Sequence, residues 1–364
     1  MIRVLHVLNN LGSGGAESIV MNIYRKLDRN KVQFDFLIRS KKNGPLVDEI
    51  KSLGGRIYYT SEYPKHFLKN ERELKRFFNE HSEYSVIHIH ANSLMYIQPL
   101  ILAKRYRIPC RIIHSHSVTV GSRLSFLKQI HYFNRKYVKQ HATHRFACSE
   151  AAGVWMFEKD TFEIINNGID LDRVKFRQAR REQIRKKYNL ENAFVIGNVG
   201  RFSHPKNHAF MIRLFAKYAI SHSDARLLLV GDGELFEDIQ VLAKKLNVIE
   251  KITFAGTVSN VEDYLSAMDV FLFPSLYEGL PVALIEAQAI GLPCVFSNTI
   301  TSTAILNNNC RCISLDSPMD EWVNALNENN GFIKPSELLT KYDINSVAKE
   351  LEVFYLEKSG CGKE

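Results

Sequence analysis

The chain has 364 residues, of which 45% are hydrophobic and 24% are charged, a composition that excludes a disordered or fibrous protein. This length exceeds what one hydrophobic core usually covers, so we expect two domains. The net charge of +9 comes from the first half, since residues 1–172 hold 26 Lys and Arg against 16 Asp and Glu, whereas residues 173–364 hold 22 against 23. An anionic partner or a soluble surface with a skewed charge would both explain this excess.

Apolar strands and amphipathic helices alternate along the first half of the chain. Segment 2–8 is predicted to be a buried strand, and a glycine-rich turn joins it to a helix over 16–27, in which Ile19, Ile23 and Leu27 share a face. The pattern predicts further strands at 32–38, 56–59, 86–90 and 111–114, and helices at 46–53, 69–80 and 97–106. Such alternation is typical of βαβ units that build a parallel sheet.

The same alternation restarts after a basic segment, 172–188, which we interpret as a linker and a helix. The pattern there predicts strands at 194–199, 226–230, 252–254, 270–273 and 294–297, and helices at 208–219, 236–246, 261–267 and 282–290. The predicted fold class is α/β, with two doubly wound Rossmann-like domains at 1–172 and 173–341. A final helix within 342–364 is expected to pack back on the first domain.

Two motifs of the first domain follow predicted strands, where ligands of doubly wound sheets bind. Segment 12–17, Gly-Ser-Gly-Gly-Ala-Glu, lets backbone approach a ligand at Gly14 and Gly15 and leads into a helix whose start can hold an anion. A turn that merely needs small residues would explain it equally well, and its incomplete GxGxxG spacing argues against a dehydrogenase. Of two histidines that end the strand at 111–114, we expect His116 to be functional and His114 to pack in the sheet.

Two loops of the second domain also follow strands. Arg201 and Lys206, five positions apart after the strand at 194–199, can meet a diphosphate from two sides. A diphosphate leaving group needs such cations, because its charge grows as the bond breaks. Gly231 and Gly233 are predicted to let a nucleotide approach the backbone, whereas Asp232 is either a turn former or a ligand contact.

Segment 274–287 carries two carboxylates eight positions apart. Glu278 lies in the predicted loop and Glu286 lies inside the predicted helix, so the two would contact different parts of one extended ligand. The helix start at Val282 follows Gly279 and Leu280, and its free amide groups near 282–284 are expected to meet phosphate.

These motifs together resemble one family. The spacing of Glu278 and Glu286 matches the EX7E motif of retaining GT-B glycosyltransferases (family 4, group 1), which include sucrose synthases and bacterial exopolysaccharide and capsule glycosyltransferases. Segment 14–17 resembles the family's GGAE opening, segment 167–170 its N-G-[IV]-D segment, and Arg201 with Lys206 its phosphate-binding pair. The resemblance spans nearly the whole chain. One departure is the loop 298–303, which has no carboxylate where many relatives carry one, so that its contacts to the donor sugar are in question.

The resemblance implies a GT-B fold, with the two domains facing across a cleft, and a metal-independent, cofactor-free hexosyl transfer. The donor would be a nucleotide-diphosphate sugar, UDP- or GDP-linked, and the acceptor a glycan or polyprenyl-diphosphate-linked acceptor in cell-surface polysaccharide synthesis. Front-face displacement would depend on positioning and charge stabilisation. The implied roles are ribose binding by Glu286, contact with the transferred sugar by Glu278 and His116, diphosphate binding by Arg201 and Lys206, and approach to the donor phosphate by Gly14 and Gly15.

Other interpretations follow from the same residues. A GT-B-like epimerase would act on a nucleotide sugar without an acceptor, and a non-catalytic subunit would bind the nucleotide sugar alone. The paired glutamates and both cations favour transfer over these. Nucleic-acid binding is not expected, because the basic residues are not interleaved with aromatic ones in a known module.

We expect a cytoplasmic protein. The six cysteines show neither a CxxC pair nor zinc spacing, which is typical of a reducing compartment. The first apolar stretch is too short for a signal peptide, and no apolar run reaches the ~20 residues of a membrane span. Segment 123–139 mixes apolar and basic side chains, so it is a candidate for contact with an anionic membrane surface on the inner face of the cell membrane; a helix with a solvated basic face is the alternative.

Overall fold

A computed structural model of the protein describes residues 1–12, 15–40, 44–118, 125–328 and 331–360, without the side chains of 125–127. The chain forms two compact units, Met1–Gly168 with Lys341–Glu364, and Ile169–Thr340. Each unit contains one parallel β-sheet, so the predicted α/β class with two Rossmann-like sheets is confirmed.

The sheet of the first unit has seven parallel strands in the order β3-β2-β1-β4-β5-β6-β7. Its strands are β1 (Ile2–Leu8), β2 (Val32–Ile38), β3 (Ile57–Tyr59), β4 (Val86–Ala91), β5 (Cys110–Ser115), β6 (His144–Ala147) and β7 (Glu163–Ile164). The helices between them are α1 (Gly15–Lys26), α2 (Val47–Ser52), α3 (Phe67–Glu80), α4 (Gln98–Arg105), α5 (Ser125–His141) and α6 (Glu150–Phe157). The strand order reverses between β1 and β4, and the crevice at the carboxyl ends of these strands is where such sheets bind ligands.

The sheet of the second unit has six parallel strands in the order β10-β9-β8-β11-β12-β13. Its strands are β8 (Phe194–Val199), β9 (Ala225–Val230), β10 (Ile252–Gly256), β11 (Val270–Phe273), β12 (Cys294–Ser297) and β13 (Cys310–Ile313). Its helices are α7 (Gln178–Lys187), α8 (His208–Ser221), α9 (Phe236–Lys245), α10 (Val261–Ala267), α11 (Val282–Ala289) and α12 (Met319–Asn327). Here the order reverses between β8 and β11.

The basic segment before β8 is anchored by one carboxylate. Arg185 of α7 pairs with Asp269 at 2.5 Å, Arg181 bonds to the same carboxylate, and the Val195 amide donates to it at 2.7 Å. Because Asp269 lies directly before β11, this ion pair fixes α7 against the sheet. The segment is therefore part of the second unit's fold.

The last helix, α13 (Ile344–Lys358), belongs to the core of the first unit. Ile344, Leu351 and Tyr355 are buried in one cluster with the apolar side chains of β1 and β2. The Glu352 carboxylate accepts a hydrogen bond of 3.1 Å from the Asp28 amide, which also ties the helix to the turn before β2.

The sequence patterns did not reveal β6, β7, β13, α6 and α12. The edge strands β7 and β13 have two and four residues, and their side chains are exposed or half-buried, so no apolar run marks them. The described cysteines are free thiols. Among the helices that the structure describes, none is both long and apolar enough to cross a membrane.

Candidate functional site

Two loops of the second unit meet where its strand order reverses. The loop after β8 and the loop after β11 are joined by two hydrogen bonds, from the Leu276 amide to the Pro205 carbonyl at 2.7 Å and from the Asn207 side chain to the Pro274 carbonyl at 3.1 Å. Asn207 has a φ of +55°, a left-handed conformation that asparagine tolerates better than most residues. The two loops therefore form one structure at the crevice.

This structure brings Lys206 and Glu278 together. The Lys206 ammonium lies 2.7 Å from a Glu278 carboxylate oxygen, and their side chains are 20% and 14% exposed. The ammonium also lies 4.8 Å from the centre of the Phe273 ring. A cation and a carboxylate that are 72 positions apart in the sequence thus lie side by side.

Arg201 is held differently. Its guanidinium lies 3.0 Å from the Glu234 carboxylate, and the two side chains are 72% and 55% exposed. Exposed ion pairs contribute ~0–1 kcal/mol, so Arg201 can exchange Glu234 for a more strongly charged anion at little cost. Glu234 directly follows the glycine motif, but the sequence pattern did not indicate this ion pair.

The loop after β9 packs against the loop after β8 through its glycines. A Cβ on Gly231, whose φ is +137°, would come within 2.1 Å of the Gly200 carbonyl oxygen, and one on Gly233 within 2.5 Å of the Phe202 carbonyl oxygen. These glycines are therefore required by contact between loops, whether or not a nucleotide approaches them. Asp232 accepts a hydrogen bond from the Gly233 amide at 2.7 Å, so it acts in the turn.

Glu286 lies half-buried on α11 in a charged environment that the sequence did not predict. Burial raises the pKa of Glu286 to about 7, while the nearby charges of Arg173 and Glu262 lower and raise it respectively. Arg173 lies 3.5 Å from Glu262 and follows a turn in which Asp170 accepts from the Arg173 amide. One Glu262 oxygen is buried and has no hydrogen-bond partner among the described residues. Carboxylate oxygens in this state are suited to accept from ligand hydroxyl groups.

The start of α11 differs from the prediction. The Val282 amide bonds to the Leu280 carbonyl and the Leu284 amide to the Pro281 carbonyl, both at 3.0 Å. The expectation of free amide groups at 282–284 is therefore wrong for these two, because the chain turns tightly at Leu280 and Pro281. The Leu280 side chain is buried and Gly279 is half-buried, so packing holds this turn in place.

In the first unit, Gly15 opens α1 and is exposed, whereas Gly14 lies outside the described residues. A Cβ on Gly15 would meet nothing within 4 Å, so packing among the described residues does not require a glycine there. Room for a ligand is one reason for a glycine at a helix start.

His116 belongs to an array of five histidines on one face of the first sheet, listed by strand as His6 of β1, His88 and His90 of β4, His114 of β5, and His116 directly after β5. The register pairs His6 with His88 and His90 with His114, and residues two apart share a sheet face. As expected, His114 is buried in the sheet. His6, His88 and His90 were not predicted as site residues, although the HIH and HSH spacings indicated a shared sheet face.

Burial keeps these imidazoles neutral. It lowers the pKa of His6 to about 3 and that of His116 to about 4, and it holds the pKa of His88, His90 and His114 well below the ordinary value. Neutral imidazole is a metal ligand, and two triads, His6/His88/His90 and His90/His114/His116, have nitrogens within 4.8 Å of one another. The array could therefore hold a metal ion. However, three pairs of nitrogens lie only 2.9–3.1 Å apart, which is the distance of direct hydrogen bonds.

A cavity of about 480 Å³ lies at the carboxyl ends of β1 and β2, with Asn9, Gly12, Arg39, Glu62 and Tyr63 in its wall. The half-buried Arg39 directly follows β2, donates to the Asn9 side chain at 2.7 Å, and stacks 4.7 Å from the centre of the Tyr96 ring. Burial lowers the pKa of Arg39, and among the described residues no carboxylate forms an ion pair with it. The cavity thus offers a fixed cation to an anionic group.

Comparison with known proteins identifies the family. Residues 13–173 match the profile of Glycosyltransferase Family 4, and residues 180–328 match that of Glycosyl transferases group 1. The putative glycosyltransferase EpsF of Bacillus subtilis (strain 168) is 36% identical over 339 residues, which cover 89% of this chain and 86% of EpsF. The chain belongs to this glycosyltransferase family. The resemblance inferred from the motifs is confirmed, and the protein is a transferase.

Two further comparisons concern other glycosyltransferases. A UDP-Gal:alpha-D-GlcNAc-diphosphoundecaprenol alpha-1,3-galactosyltransferase of Escherichia coli is 26% identical, over 89% of this chain and 87% of that protein. The crystal structure of Anabaena HepE in complex with UDP-glucose superposes with a TM-score of 0.81 at 17% identity, covering 98% of this chain and all of HepE. The glycosyltransferase described here thus has the fold predicted for it.

Glu286→Gln is expected to alter how the stability of this glycosyltransferase depends on pH. Because burial raises the pKa of Glu286 from 4.5 to about 7, the protonated side chain suits the folded state below pH 4.5, and this advantage is lost as the pH rises through 7. In urea unfolding, the free energy of unfolding of the variant relative to the wild type should rise by ~2–3 kcal/mol between pH 5 and pH 8. A difference that is constant with pH would contradict the assignment.

Proposed function

We propose that the protein is a retaining, metal-independent glycosyltransferase that transfers a hexosyl group from a nucleotide-diphosphate sugar to a lipid-linked glycan acceptor. The observation that carries this proposal is the contact of Lys206 with Glu278 where the strand order of the second sheet reverses. Glu278 lies in the loop before α11, and Glu286 lies within that helix. The resemblance to exopolysaccharide and capsule enzymes supports a product that is a cell-surface polysaccharide.

The second unit would bind the donor. Glu286, with Arg173 and Glu262 beside it, would accept hydrogen bonds from the ribose hydroxyls. Lys206 would exchange or share its bond to Glu278 with the diphosphate, and Glu278 would contact the sugar hydroxyls. As the glycosidic bond breaks, charge grows on the diphosphate, and a cation already held in place stabilises it without reorganisation.

The other contacts rest on the family resemblance. Arg201 would leave its exposed pair with Glu234 to bind the same diphosphate. In the first unit, Gly15 would contact the donor phosphate and His116 the transferred sugar. A UDP-linked donor is favoured over a GDP-linked one, because HepE was solved with UDP-glucose and the E. coli relative is named for UDP-Gal.

Lys206→Ala and Glu286→Ala should weaken the thermal stabilisation that UDP or its sugars give to the protein. Losing a charge-assisted hydrogen bond costs ~1.5–3 kcal/mol, so UDP affinity should fall roughly 10- to 100-fold. Lys217→Ala is the matched control. Lys217 of α8 forms an ion pair of the same 2.7 Å length with Asp320 of α12. UDP affinities that remain at the wild-type level in both site variants would refute the site.

The same preparation tests the reaction. Product should form in the presence of an acceptor and of EDTA, and NMR should show that the anomeric configuration of the donor sugar is retained. Epimerised donor formed without an acceptor would favour an epimerase instead, and loss of activity in EDTA would refute metal independence.

We also propose that the cavity beside Arg39 receives the anionic part of the acceptor. The E. coli relative is named for a diphosphoundecaprenol-linked acceptor, and Arg39 offers a guanidinium that Asn9 and Tyr96 hold in one orientation. A planar fork of donors matches a phosphate group. The polar lining, with Glu62 and Tyr63, suits an adjoining sugar.

Arg39→Gln should raise the KM for a lipid-diphosphate acceptor at least tenfold, since it removes a charge-assisted contact of ~1.5–3 kcal/mol. The KM for the donor should stay within about twofold of the wild-type value. Arg76→Gln, at an exposed arginine of the first unit, provides the control. Equal effects of Arg39→Gln on both substrates would argue against an acceptor site.

A surface of α5 suits an anionic membrane. Tyr132 and Phe133 are 54% and 56% exposed, the Lys136 ammonium lies 3.9 Å from the centre of the Phe133 ring, and the Arg135 guanidinium lies 4.7 Å from that of Tyr132. Aromatic rings beside basic groups are favoured at a lipid interface. Part of the segment 123–139 that we predicted for this contact lies outside the described residues. We propose that the described part binds anionic lipid.

Sedimentation with phosphatidylglycerol vesicles tests this surface. Binding should be strong at low salt and weak at high salt, and the double variant Phe133→Ser with Lys136→Glu should reduce it at least tenfold. Ile220→Ser, which removes an exposed side chain of the second unit, is the control. No binding of the wild type at low salt would refute the proposal.

A further inference from the structure

Three histidines of the first sheet form a continuous row that ends at His116. His6 Nδ1 lies 2.9 Å from His90 Nε2, and His90 Nδ1 lies 2.9 Å from His116 Nε2. The ring centres are 5.2 and 5.1 Å apart and the ring planes differ by 13° and 30°. Because the nitrogens are within hydrogen-bond distance although the ring centres are far apart, the rings lie edge to edge. N–H···N hydrogen bonds join them.

A second row lies against the first. The Tyr355 hydroxyl is 2.7 Å from His88 Nδ1, and His88 Nε2 is 3.1 Å from His114 Nδ1. His88 stacks on His90 with ring centres 4.3 Å apart, and His114 stacks on His116 at 4.2 Å. Rings that are stacked and bonded in this way cannot turn independently, so the second row fixes the orientation of the first.

The number of protons on the row restricts its states. Each neutral imidazole carries one N–H, so three rings carry three protons, and two of these lie in the two hydrogen bonds. The third lies at one end, on His6 Nε2 or on His116 Nδ1. Both end nitrogens are buried and have no hydrogen-bond partner among the described residues.

Each hydrogen bond needs one donor and one acceptor nitrogen. If His116 carries its proton on Nδ1, its Nε2 must accept from His90 Nδ1, and His90 Nε2 must accept from His6 Nδ1. If His6 carries its proton on Nε2, the same reasoning puts every proton on Nε2. All three histidines therefore share one tautomer, Nδ1–H or Nε2–H.

We propose that His90, hydrogen-bonded to His6, is a positioning residue that sets the orientation of His116 and ties its tautomer to that of His6. In one arrangement His116 Nδ1 accepts a hydrogen bond, and in the other it donates one, so the row fits a hydroxyl group, which can do either. Since His116 is assigned to the transferred sugar, a sugar hydroxyl is the class of partner. This role rests on the proposed function, whereas the shared tautomer rests on the row alone.

Ring ¹⁵N NMR of the wild type is the primary test. His6, His90 and His116 should show the same tautomer, and opposite tautomers in His6 and His116 would overturn the proposal without any variant. Titration with Zn²⁺ alone should leave these ring signals unchanged; stoichiometric Zn²⁺ binding with shifts of all three would show a metal centre instead.

His90→Phe preserves a ring and removes both hydrogen bonds. The tautomer of His116 should then no longer follow that of His6, and kcat should fall at least tenfold while the donor KM changes less than about twofold, as expected when a residue that orients a functional histidine is lost. His81→Phe is the matched control, because it replaces a histidine of the first unit that packs on Phe77 and Tyr58 outside both rows, and it should leave the His116 tautomer and kcat within about twofold of the wild type.

The outcomes separate the two proposals. If His6 and His116 still have equal tautomer populations in a folded His90→Phe protein, the positioning role is wrong. If this variant does not fold, His6→Phe shortens the same row by its end ring, where His6 already packs against Phe34, and must change the tautomer populations of His116. If the tautomers behave as expected but no sugar is transferred, the row stands and the proposed function fails.

Discussion

Parallel pairing of the central strands is the constraint on which both units depend. In each sheet the chain leaves the central strand toward one side and later returns to the other side, so two loops emerge at the reversal and diverge around a crevice. In the second unit a hydrogen bond from the Leu276 amide to the Pro205 carbonyl joins these two loops at the crevice. In the first unit the same register aligns His6 with His88 and His90 with His114. Strand pairing thus places side chains that are remote in sequence.

The charged groups of the second unit are held by one another. Lys206 pairs with Glu278, Arg201 with Glu234, and Arg173 with Glu262. These ion pairs hold the charged side chains in place. They differ in how far the paired side chains are exposed to solvent. The exposed pair of Arg201 is the easiest to exchange, whereas Lys206 lies deeper and over the Phe273 ring.

The strands and most of the helices could be predicted, because buried parallel strands are apolar runs and the helices have a clear period. The loops that bear Arg201, Lys206 and Glu278 could be found for the same reason, since each follows such a strand. The contact of Lys206 with Glu278 could not be predicted, because it depends on two loops that meet only once the strand order is known. Edge strands such as β13 lack the apolar run that marks the centre of a sheet.

Two local patterns gave incomplete answers for similar reasons. Gly231 and Gly233 indicated close approach of backbone, but the partner is the neighbouring loop, which local sequence does not specify. The histidines at spacing two indicated a shared sheet face, but their order in a row follows from the register of three strands. In both cases the sequence determined the local geometry and the tertiary structure determined the partner.

The docking of α13 on the first unit also has a consequence for synthesis of the protein. The first unit takes Tyr355 and Ile344 into its core, so this core is complete only after residue 355 has left the ribosome. The second unit is continuous in sequence and can fold while the first still exposes the apolar surface that α13 will cover. A nascent chain can therefore carry a folded second unit while the first unit still lacks one element of its core, and translation of α13 ends this exposure.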